Sequence, residues 1–400
     1  MAFIVDLRSD TVTKPTKAMK HAMVNSALGD DVMGEDPTVN ALEAKVATLL
    51  GKQAALFVPS CTMANLIAIM VHCNKRGSEI IVGDKSHIFK YEQGGASHVA
   101  GALVTTVPNN PDGTFDLGEV ERRLRGADIH EPITSLICVE NTQNVCGGKV
   151  RRMAQFVANI ITILVDWRMR NELPVLPMAW LDSLHALCKK HNLPIHMDGA
   201  RLFNACAYLG ESPARVARDC ESVAVAFSKG LCAPVGSAVA GSYHFIQQAR
   251  RMRKMLGGGM RQAGVLAAAA RVGLDEIVPQ LQLDHKRAKR LALVIEGLQL
   301  PSFQVDVEGQ HTNIVLVRLP PGPLSAAPVL QRLAQVCLSE TQGDCKTEND
   351  EGVIVKAIEF NPKTIRFTLH ADISDEDLWL AIMKITYVFK EIEAGNTKAK

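Results

Sequence analysis

A lysine that directly follows a short apolar stretch is the first residue here with an obvious chemical use. Ser228-Lys229 comes after SVAVAF (222–227) and precedes GLCAPVGS, a run rich in small residues. The apolar stretch predicts a buried strand, and the small residues would let the lysine side chain enter a cleft. Because a lysine amine forms Schiff bases, Lys229 is a candidate for covalent binding of a carbonyl compound. A solvated lysine at a strand end is the alternative for Lys229 alone.

An aspartate holds the equivalent place about 30 residues earlier. Asp198 ends the apolar stretch PIHMD (194–198) and precedes Gly199-Ala200-Arg201. Enzymes that use pyridoxal phosphate (PLP) need a carboxylate on the pyridine nitrogen and a lysine on the aldehyde. A lone aspartate at this point could instead cap a helix. The two residues together indicate PLP chemistry.

Two further segments could hold the phosphate of such a cofactor. One is the turn between AALFV (54–58) and the next helical pattern, because the first N–H groups of a helix attract anions. The other is the glycine run 257–259, which would bring nearby cations to the phosphate. A simple helix cap and an ordinary loop are the respective alternatives. The residues concerned are Ser60, Cys61, Thr62, Lys254 and Arg261.

Composition limits the remaining classes of function. The chain has 400 residues, of which 47% are hydrophobic and 22% charged, as in an ordinary globular protein. Forty-four Lys and Arg against 42 Asp and Glu leave a charge of +2, too small a basic excess to neutralise nucleic acid. The twelve histidines show no metal-binding spacing, and the most apolar stretch (156–167) is short for a membrane span. We therefore expect no metal, no nucleic acid and no membrane.

The cysteines and the N-terminal residues bear on the compartment. Ten cysteines are scattered without a CxxC pair, and MAFIVDLRSD has acidic residues where a targeting peptide would be basic or apolar. Reduced thiols and a cytoplasmic location are the simplest expectation.

The order of elements predicts an α/β fold. Short apolar stretches alternate with helical patterns up to about residue 280, and the stretches are apolar on both faces, which is typical of a mostly parallel sheet covered by helices. From about residue 300 the pattern becomes α+β. We expect an N-terminal arm of little periodicity (1–40), a large domain (41–280) and a small C-terminal domain (281–400).

The sequence resembles one enzyme family along nearly its whole length. The chain is similar to the low-specificity L-threonine aldolases, PLP enzymes of the aspartate aminotransferase fold (fold type I), whose large domain holds a mostly parallel, seven-stranded sheet. The resemblance rests on these segments, in the family's order: DLRSDTVTKPT (6–16), GDDVMGEDPTVNALE (29–43), HxxxxEQGG (87–95), ENT (140–142), HMDGARLFNA (196–205), FSKGLCAPVGS (227–237), RKMLGGGMRQAG (253–264) and IRFTLH (365–370).

The resemblance implies a role for each candidate residue. Lys229 would bind PLP covalently, Asp198 would pair with the pyridine nitrogen, and His87 would stack on the ring and act as a base. The phosphate would be bound by Ser60, Cys61 and Thr62, with Lys254 and Arg261 arriving from a neighbouring subunit. The substrate carboxylate would be held by Ser9, Arg201 and Arg366, and Gln143 would face the substrate.

The implied reaction is the retro-aldol cleavage of L-threonine or L-allo-threonine to glycine and an aldehyde. The amino acid would be the partner of a homo-oligomer, a dimer of dimers. Two alternatives stay open: a different PLP reaction such as β-elimination or racemisation, and a catalytically degraded relative that only binds PLP or assembles with active subunits.

Four positions depart from the family's pattern. Gln143 stands where the family usually has a histidine that handles the hydroxyl, and glutamine cannot accept a proton at neutral pH. Met33 replaces a tyrosine. Cys61 and Cys232 replace glycines; we expect a backbone cost at Cys61 if its φ is positive, and a milder effect at Cys232.

An extra segment also interrupts the pattern. In the family GGxV leads directly into LPxxYL, whereas here residues 151–175 separate GGKV (147–150) from LPMAWL. A gene-model or splicing artefact, a tolerated surface helix and a functional element are the three interpretations.

Overall fold

A computed structural model describes residues 2–126, 128–145, 175–343 and 345–398. Apart from Val175, the predicted insertion 151–175 lies outside the described residues. The strands are, in chain order, β1 (Phe3–Asp6), β2 (Ala54–Val58), β3 (Ser78–Gly83), β4 (Leu103–Val107), β5 (Ile133–Glu140), β6 (Ile195–Gly199), β7 (Ser222–Ala226), β8 (Ser237–Gly241), β9 (Gln304–Val305), β10 (Ile314–Arg318), β11 (Val353–Lys356), β12 (Ile358–Asn361) and β13 (Thr364–Thr368).

The helices run between these strands and after them. They are α1 (Lys17–Val24), α2 (Pro37–Leu50), α3 (Cys61–His72), α4 (His87–Lys90), α5 (Gly95–His98), α6 (Leu117–Arg123), α7 (Met178–Lys190), α8 (Leu202–Leu209), α9 (Pro213–Val216), α10 (Tyr243–Met255), α11 (Gly264–Val272), α12 (Leu281–Gly297), α13 (Ala326–Leu333), α14 (Leu338–Gln342) and α15 (Asp375–Lys398). In the part of the chain that is described, no helix is both long and apolar enough to cross a membrane.

The chain divides into two compact units. The sheet unit contains Glu43–Ala226 and Ser237–Arg261, and the terminal unit contains Met1–Leu42, Phe227–Gly236 and Gln262–Lys400. The boundaries at residues 40 and 280 stay a prediction.

A seven-stranded sheet forms the centre of the sheet unit. Its strand order is β2-β8-β7-β6-β5-β3-β4, and β8 alone runs antiparallel to its neighbours. Every residue of β3, β6 and β7 is buried, as expected for parallel strands covered on both faces. The helices α3 and α10 pack on β2 and β8 through a cluster that includes Leu56, Ile67 and Phe245. The predicted mostly parallel α/β sheet is confirmed.

The terminal unit is built on an antiparallel sheet of order β12-β13-β10-β9. Its core joins α12, α13 and α15 to β10 and β13. The segment 1–40 is more regular than its sequence suggests. The strand β1 pairs in parallel with β11, from Phe3 opposite Val353, and Val5 is buried in this core, while α1 packs on α11. A four-residue strand is too short for its alternation to stand out in the sequence.

Candidate active site

Asp198 lies at the carboxyl end of β6, where ligands bind in open α/β sheets. Its side chain is 2% exposed. Its Oδ1 accepts the backbone N–H of Ala200 (3.1 Å) and the thiol of Cys61 (3.7 Å), and its Oδ2 accepts the side-chain amide of Asn65 (2.8 Å). Within the described part of the sheet unit, no cationic side chain forms an ion pair with Asp198.

Asn65 joins Asp198 to a second buried carboxylate. It lies on the buried side of α3, and its Nδ2 donates both to Asp198 Oδ2 and to Glu92 Oε1, at 2.8 Å each. Both amide protons of Asn65 therefore hold acidic side chains, which fixes the separation of the two carboxylates. Burial raises the pKa of Glu92, and its bond with His87 opposes that rise.

Glu92 also sets the orientation of His87. His87 begins the short helix α4, and its Nδ1 lies 2.8 Å from Glu92 Oε1, which already accepts an amide proton from Asn65. Because Oε1 is the acceptor in both contacts, the network assigns the proton to Nδ1 of His87. The basic nitrogen of a neutral His87 is then Nε2. One atom from each of His87, Glu92 and Asp198 lies within 4.8 Å of the others.

A third carboxylate holds the backbone on the other side of His87. Glu140 ends β5, and its Oε2 accepts the N–H of His87 (2.8 Å) and the amide of Gln143 (3.3 Å), while its Oε1 accepts the N–H of Asn144 (2.9 Å). Burial first, and then the nearby Asp198, raise the pKa of Glu140 to about 7. Asn144 in turn accepts a bond from Arg201 (3.3 Å). The structure thus connects Cys61, His87, Gln143, Asp198 and Arg201 in one network.

The turn that begins α3 has the geometry of an anion site. Ser60 is the N-cap residue in an extended conformation, and its hydroxyl accepts the N–H of Met63 (3.2 Å). Ser60 and Thr62 are exposed, so the first turn of this 12-residue helix faces outward. The first N–H groups of a helix have no intrahelical acceptor and favour an anion. Cys61 is the first helical residue, so the positive φ that would have made it costly is absent.

The terminal unit holds the remaining amino-acid contacts that the sequence predicts. Arg366 of β13 is 8% exposed, and its Nη2 donates to the carbonyl oxygen of Arg8 (3.3 Å) beside Ser9. Ser9 is 7% exposed and its hydroxyl accepts the N–H of Thr11 (3.3 Å). The structure therefore brings Ser9 and Arg366 together.

Lys229 lies in the loop Phe227–Gly236 of the terminal unit. The loop follows the last residue of β7 directly, and the side chain of Lys229 is half-buried. The hydroxyl of Thr13 donates to the carbonyl oxygen of Lys229 (3.0 Å), and the N–H of Cys232 closes a turn onto the same oxygen (3.0 Å). Cys232 has φ of 62° and is fully buried. The expectation that a cysteine in place of glycine has only a mild effect at position 232 is therefore wrong, because the backbone of Cys232 is left-handed and a Cβ is costly in that conformation.

Lys254 and Arg261 lie at the end of the sheet unit. Lys254 belongs to the last turn of α10, and Arg261 follows the glycine run; both are exposed. The buried cation of this region is instead Arg253, which donates to the carbonyl oxygen of Phe57 (2.7 Å). Lys254 and Arg261 are therefore both accessible from solvent.

The residues present fit a PLP cofactor. A carboxylate that is buried among neutral donors needs a cation, because an uncompensated buried charge is costly. A protonated pyridine nitrogen would supply that cation at Asp198. The outward-facing helix start at Ser60 suits the phosphate group, and Lys229 suits the aldehyde.

The sequence interpretation missed two residues of this network. Glu92 lies inside the segment HxxxxEQGG and Asn65 lies in the helical pattern after AALFV (54–58), but neither residue is among the candidates that the sequence indicates. The available signal for Asn65 was a single amide within TMANLIAIMV, whose neighbours on both sides are apolar.

Comparison with known proteins identifies the family of this chain. The sequence profile of the beta-eliminating lyase family matches residues 6–163 and 174–319, so the unmatched stretch lies inside the predicted insertion. A low-specificity L-threonine aldolase 1 of Arabidopsis thaliana is 42% identical over 94% of this chain and 93% of its own length. A low specificity L-threonine aldolase of Escherichia coli K12 is 40% identical over 79% and 85%.

A solved structure shows the same fold. The threonine aldolase of Leishmania major superposes with a TM-score of 0.67 at 18% identity, over 97% of this chain and 99% of that one. The predicted fold class is thereby confirmed. The chain belongs to the beta-eliminating lyase family and, within it, to the low-specificity L-threonine aldolases.

Proposed function

We propose that this protein is a PLP-dependent carbon–carbon lyase that cleaves L-threonine, L-allo-threonine and related β-hydroxy-α-amino acids to glycine and an aldehyde. One observation carries the proposal: Asp198 is buried among neutral donors, beside His87, in a chain whose relatives are named threonine aldolases. When bound, PLP supplies an electron sink for the pair released at the breaking Cα–Cβ bond.

The charged residues of the chain bind and orient the reacting groups. Lys229 provides the amine for the aldehyde, and Asp198 keeps the pyridine nitrogen protonated. Arg366, Arg201 and Ser9 hold the substrate carboxylate, because a guanidinium presents two parallel donors to it. By fixing the carboxylate, these residues would orient the Cα–Cβ bond of the substrate for cleavage. The phosphate contacts are assigned to Ser60, Cys61, Thr62, Lys254 and Arg261.

His87 is the proposed base. Its Nδ1 is bound to Glu92, so Nε2 is the atom that takes the proton from the substrate hydroxyl. Gln143 is less suited to that step, because both its amide protons are directed to Lys85 O (2.8 Å) and Glu140 Oε2 (3.3 Å). Its place beside Glu140 supports an indirect contribution to substrate binding.

We also propose a cytoplasmic homotetramer, a dimer of dimers. The exposure of Lys254 and Arg261 supports a phosphate contact made across a subunit boundary. Val24 (85% exposed) and Met33 (69% exposed) are large apolar side chains on the terminal unit that a second subunit would cover. Light scattering coupled to size exclusion measures the oligomer, and a monomeric holoenzyme would contradict it.

The deciding experiment follows acetaldehyde from purified holoenzyme with L-threonine and with L-allo-threonine, beside an absorbance scan and borohydride trapping. We expect cleavage of at least one diastereomer and a trapped adduct at Lys229. Lys229→Ala should abolish both, whereas Lys75→Ala, at an exposed lysine between α3 and β3, should change neither. A trapped adduct without acetaldehyde would refute the aldolase and favour β-elimination or racemisation, tested with L-serine and L-alanine. No adduct at all would favour a degraded relative.

A further inference from the structure

A row of polar side chains extends from Asn65 away from Asp198, through the interior of the sheet unit. The Oδ1 of Asn65 lies 3.0 Å from His196 Nε2, and His196 Nδ1 lies 2.9 Å from the hydroxyl of Ser222. That hydroxyl lies 2.8 Å from His72 Nε2. Asn65, His196 and Ser222 are fully buried. Together with His72 they form a set of four residues that we call the His72–Asn65 relay.

The direction of every hydrogen bond in the relay follows from its carboxylate end. Both amide protons of Asn65 go to Asp198 and Glu92, so its Oδ1 can only accept, and His196 must carry a proton on Nε2. Nδ1 of a neutral His196 then accepts the single proton of the Ser222 hydroxyl. The hydroxyl oxygen is left to accept from Nε2 of His72. The relay therefore donates one way, from His72 towards the two carboxylates.

Desolvation favours the neutral form of both imidazoles, as this assignment requires. Desolvation lowers the pKa of His196 to about 4, and desolvation followed by the charge of His196 lowers that of His72 to about 3. The ring of His72 is held by stacking on Phe245, with centroids 5.0 Å apart. No proton has to move along the relay for it to fix orientations.

An asparagine amide has two orientations, and the relay favours one of them. With the amide reversed, Asn65 would turn its oxygen towards the carboxylates of Asp198 and Glu92 and its amino group towards His196. The first contact would leave two buried carboxylates without their donor, which is costly. The Nε2 proton of His196 opposes the reversal from the other side, because a reversed amide would set one donor against another.

We propose that His196 is a positioning residue: through the His72–Asn65 relay it fixes the amide of Asn65, and thereby holds Asp198 on the cofactor nitrogen and Glu92 on His87. The proposal rests on the proposed function for the part that concerns the cofactor. The direction of the relay is a property of the chain alone and can be tested separately.

The first test measures tautomers in the wild-type protein. Nitrogen NMR of histidine-labelled protein, with His196→Gln and His72→Gln used for assignment, reports which ring nitrogen is protonated. We expect His196 and His72 to be protonated on Nε2 with and without PLP. A proton on Nδ1 of His196 would mean that the relay runs the other way and would overturn the proposal.

The second test uses two amide replacements that keep different halves of His196. His196→Gln can place an N–H near the former Nε2 and keep the donor to Asn65, whereas His196→Asn reaches only as far as Nδ1 and loses that donor. We expect His196→Asn to raise the PLP dissociation constant about tenfold, because it loses one hydrogen bond to Asn65. The same variant should also shift the pH titration of the holoenzyme absorbance. We expect His196→Gln to stay within about threefold.

A matched control separates positioning from general damage to the core. Leu184→Ala, at a fully buried position of α7, should lower stability without changing the PLP constant or the absorbance titration. The proposal would be overturned if His196→Asn and His196→Gln changed the PLP dissociation constant equally. It would also be overturned if Leu184→Ala changed that constant as much as His196→Asn does. Absence of PLP binding by the wild type would refute the proposed function and the positioning role, while the tautomers would still decide the direction of the relay.

Discussion

Cys232 offers a direct test of backbone strain beside the proposed Schiff-base lysine. We expect Cys232→Gly to be more stable than Cys232→Ala, although glycine buries less surface. Both changes remove the same Sγ, which is fully buried, makes a weak contact with the carbonyl oxygen of Gly230 (3.8 Å) and bonds with the side chain of Thr13. The two variants therefore differ in the Cβ, which at φ of 62° lies in the left-handed region.

The size of the difference follows from two opposing terms. A left-handed conformation costs a residue with a Cβ about 1–2 kcal/mol, which Cys232→Ala retains and Cys232→Gly loses. The greater conformational freedom of glycine in the unfolded chain lowers the stability of Cys232→Gly by about 0.5–1 kcal/mol. The net advantage of glycine over alanine at position 232 is therefore about 0–1.5 kcal/mol, centred on about 0.75 kcal/mol.

The assay is urea unfolding, with a second cysteine as the reference. Cys206 is also buried, but it lies within α8, where glycine is about 0.8–1 kcal/mol less favourable than alanine. The order of the Gly and Ala variants should therefore reverse between positions 232 and 206. The measurements are made with saturating PLP and without it, because altered affinity changes apparent stability. Alanine above glycine at both positions would refute the strain at Cys232.

Three further outcomes follow from other buried groups. Lys384 donates to both oxygens of the fully buried Glu340 (2.8 Å each), which also pairs with Arg332 (2.7 Å), so Lys384→Met should cost about 1.5–3 kcal/mol of unfolding free energy, and adding Glu340→Leu should recover part of it. A Cβ at Gly273 would lie 2.6 Å from the carbonyl oxygen of Leu231, so Gly273→Ala should lower stability by about 1–3 kcal/mol and weaken PLP binding, which fluorescence titration measures. Burial lowers the pKa of His196 from 6.5 to about 4. Between these two pH values the folded state therefore binds fewer protons than the unfolded state. The stability that is present above pH 6.5 is lost as the pH falls towards 4. Wild type should lose about 3 kcal/mol relative to His196→Gln over that interval, and parallel pH curves would contradict the assignment.

The sheet could be predicted because its strands are buried on both faces. ITSLICVE (133–140) coincides with β5, and SVAVAF (222–227) contains β7, since continuous apolar stretches bounded by polar residues leave little choice of boundary. The strand β1 escaped prediction, because its pairing with β11 joins residues about 350 positions apart. No local pattern encodes a contact of that range.

The site was only partly predictable for a related reason. Residue types at strand ends indicate where chemistry can happen, and the assignments of Asp198 and Lys229, which remain predictions, rest on that signal. The polar residues behind Asp198 have no comparable signal in the sequence. Asn65 and His196 lie within apolar segments, and their roles depend on which residues the fold brings next to them. A buried polar side chain has to be paired, but the sequence does not name its partner.

The replacements of glycine by Cys61 and Cys232 look alike in the sequence and differ in the structure. Cys61 begins α3 with its thiol against Asp198 (3.7 Å), so a side chain there costs no backbone strain and adds a weak donor to the carboxylate. At Cys232 the backbone is fixed by the closure of its loop, where the N–H of Ala233 bonds the carbonyl oxygen of Phe227 (3.1 Å). Loop closure, which the sequence pattern does not encode, decides which cysteine is strained.

The same reasoning explains how Gln143 can replace a histidine without disrupting its surroundings. Its Nε2 donates to Lys85 O and Glu140 Oε2, and its Oε1 accepts the N–H of Val145 (2.7 Å), so one amide joins the segment after β3 to the end of β5 and the residues that follow β5. Glu140, held in this way, accepts the backbone N–H of His87 (2.8 Å). A glutamine therefore supports the position of His87 while removing a second base from the region. In the proposed reaction Nε2 of His87 is then the atom that accepts the proton. We expect the main effect of Gln143→His in the pH profile of kcat, where a second titrating group should appear.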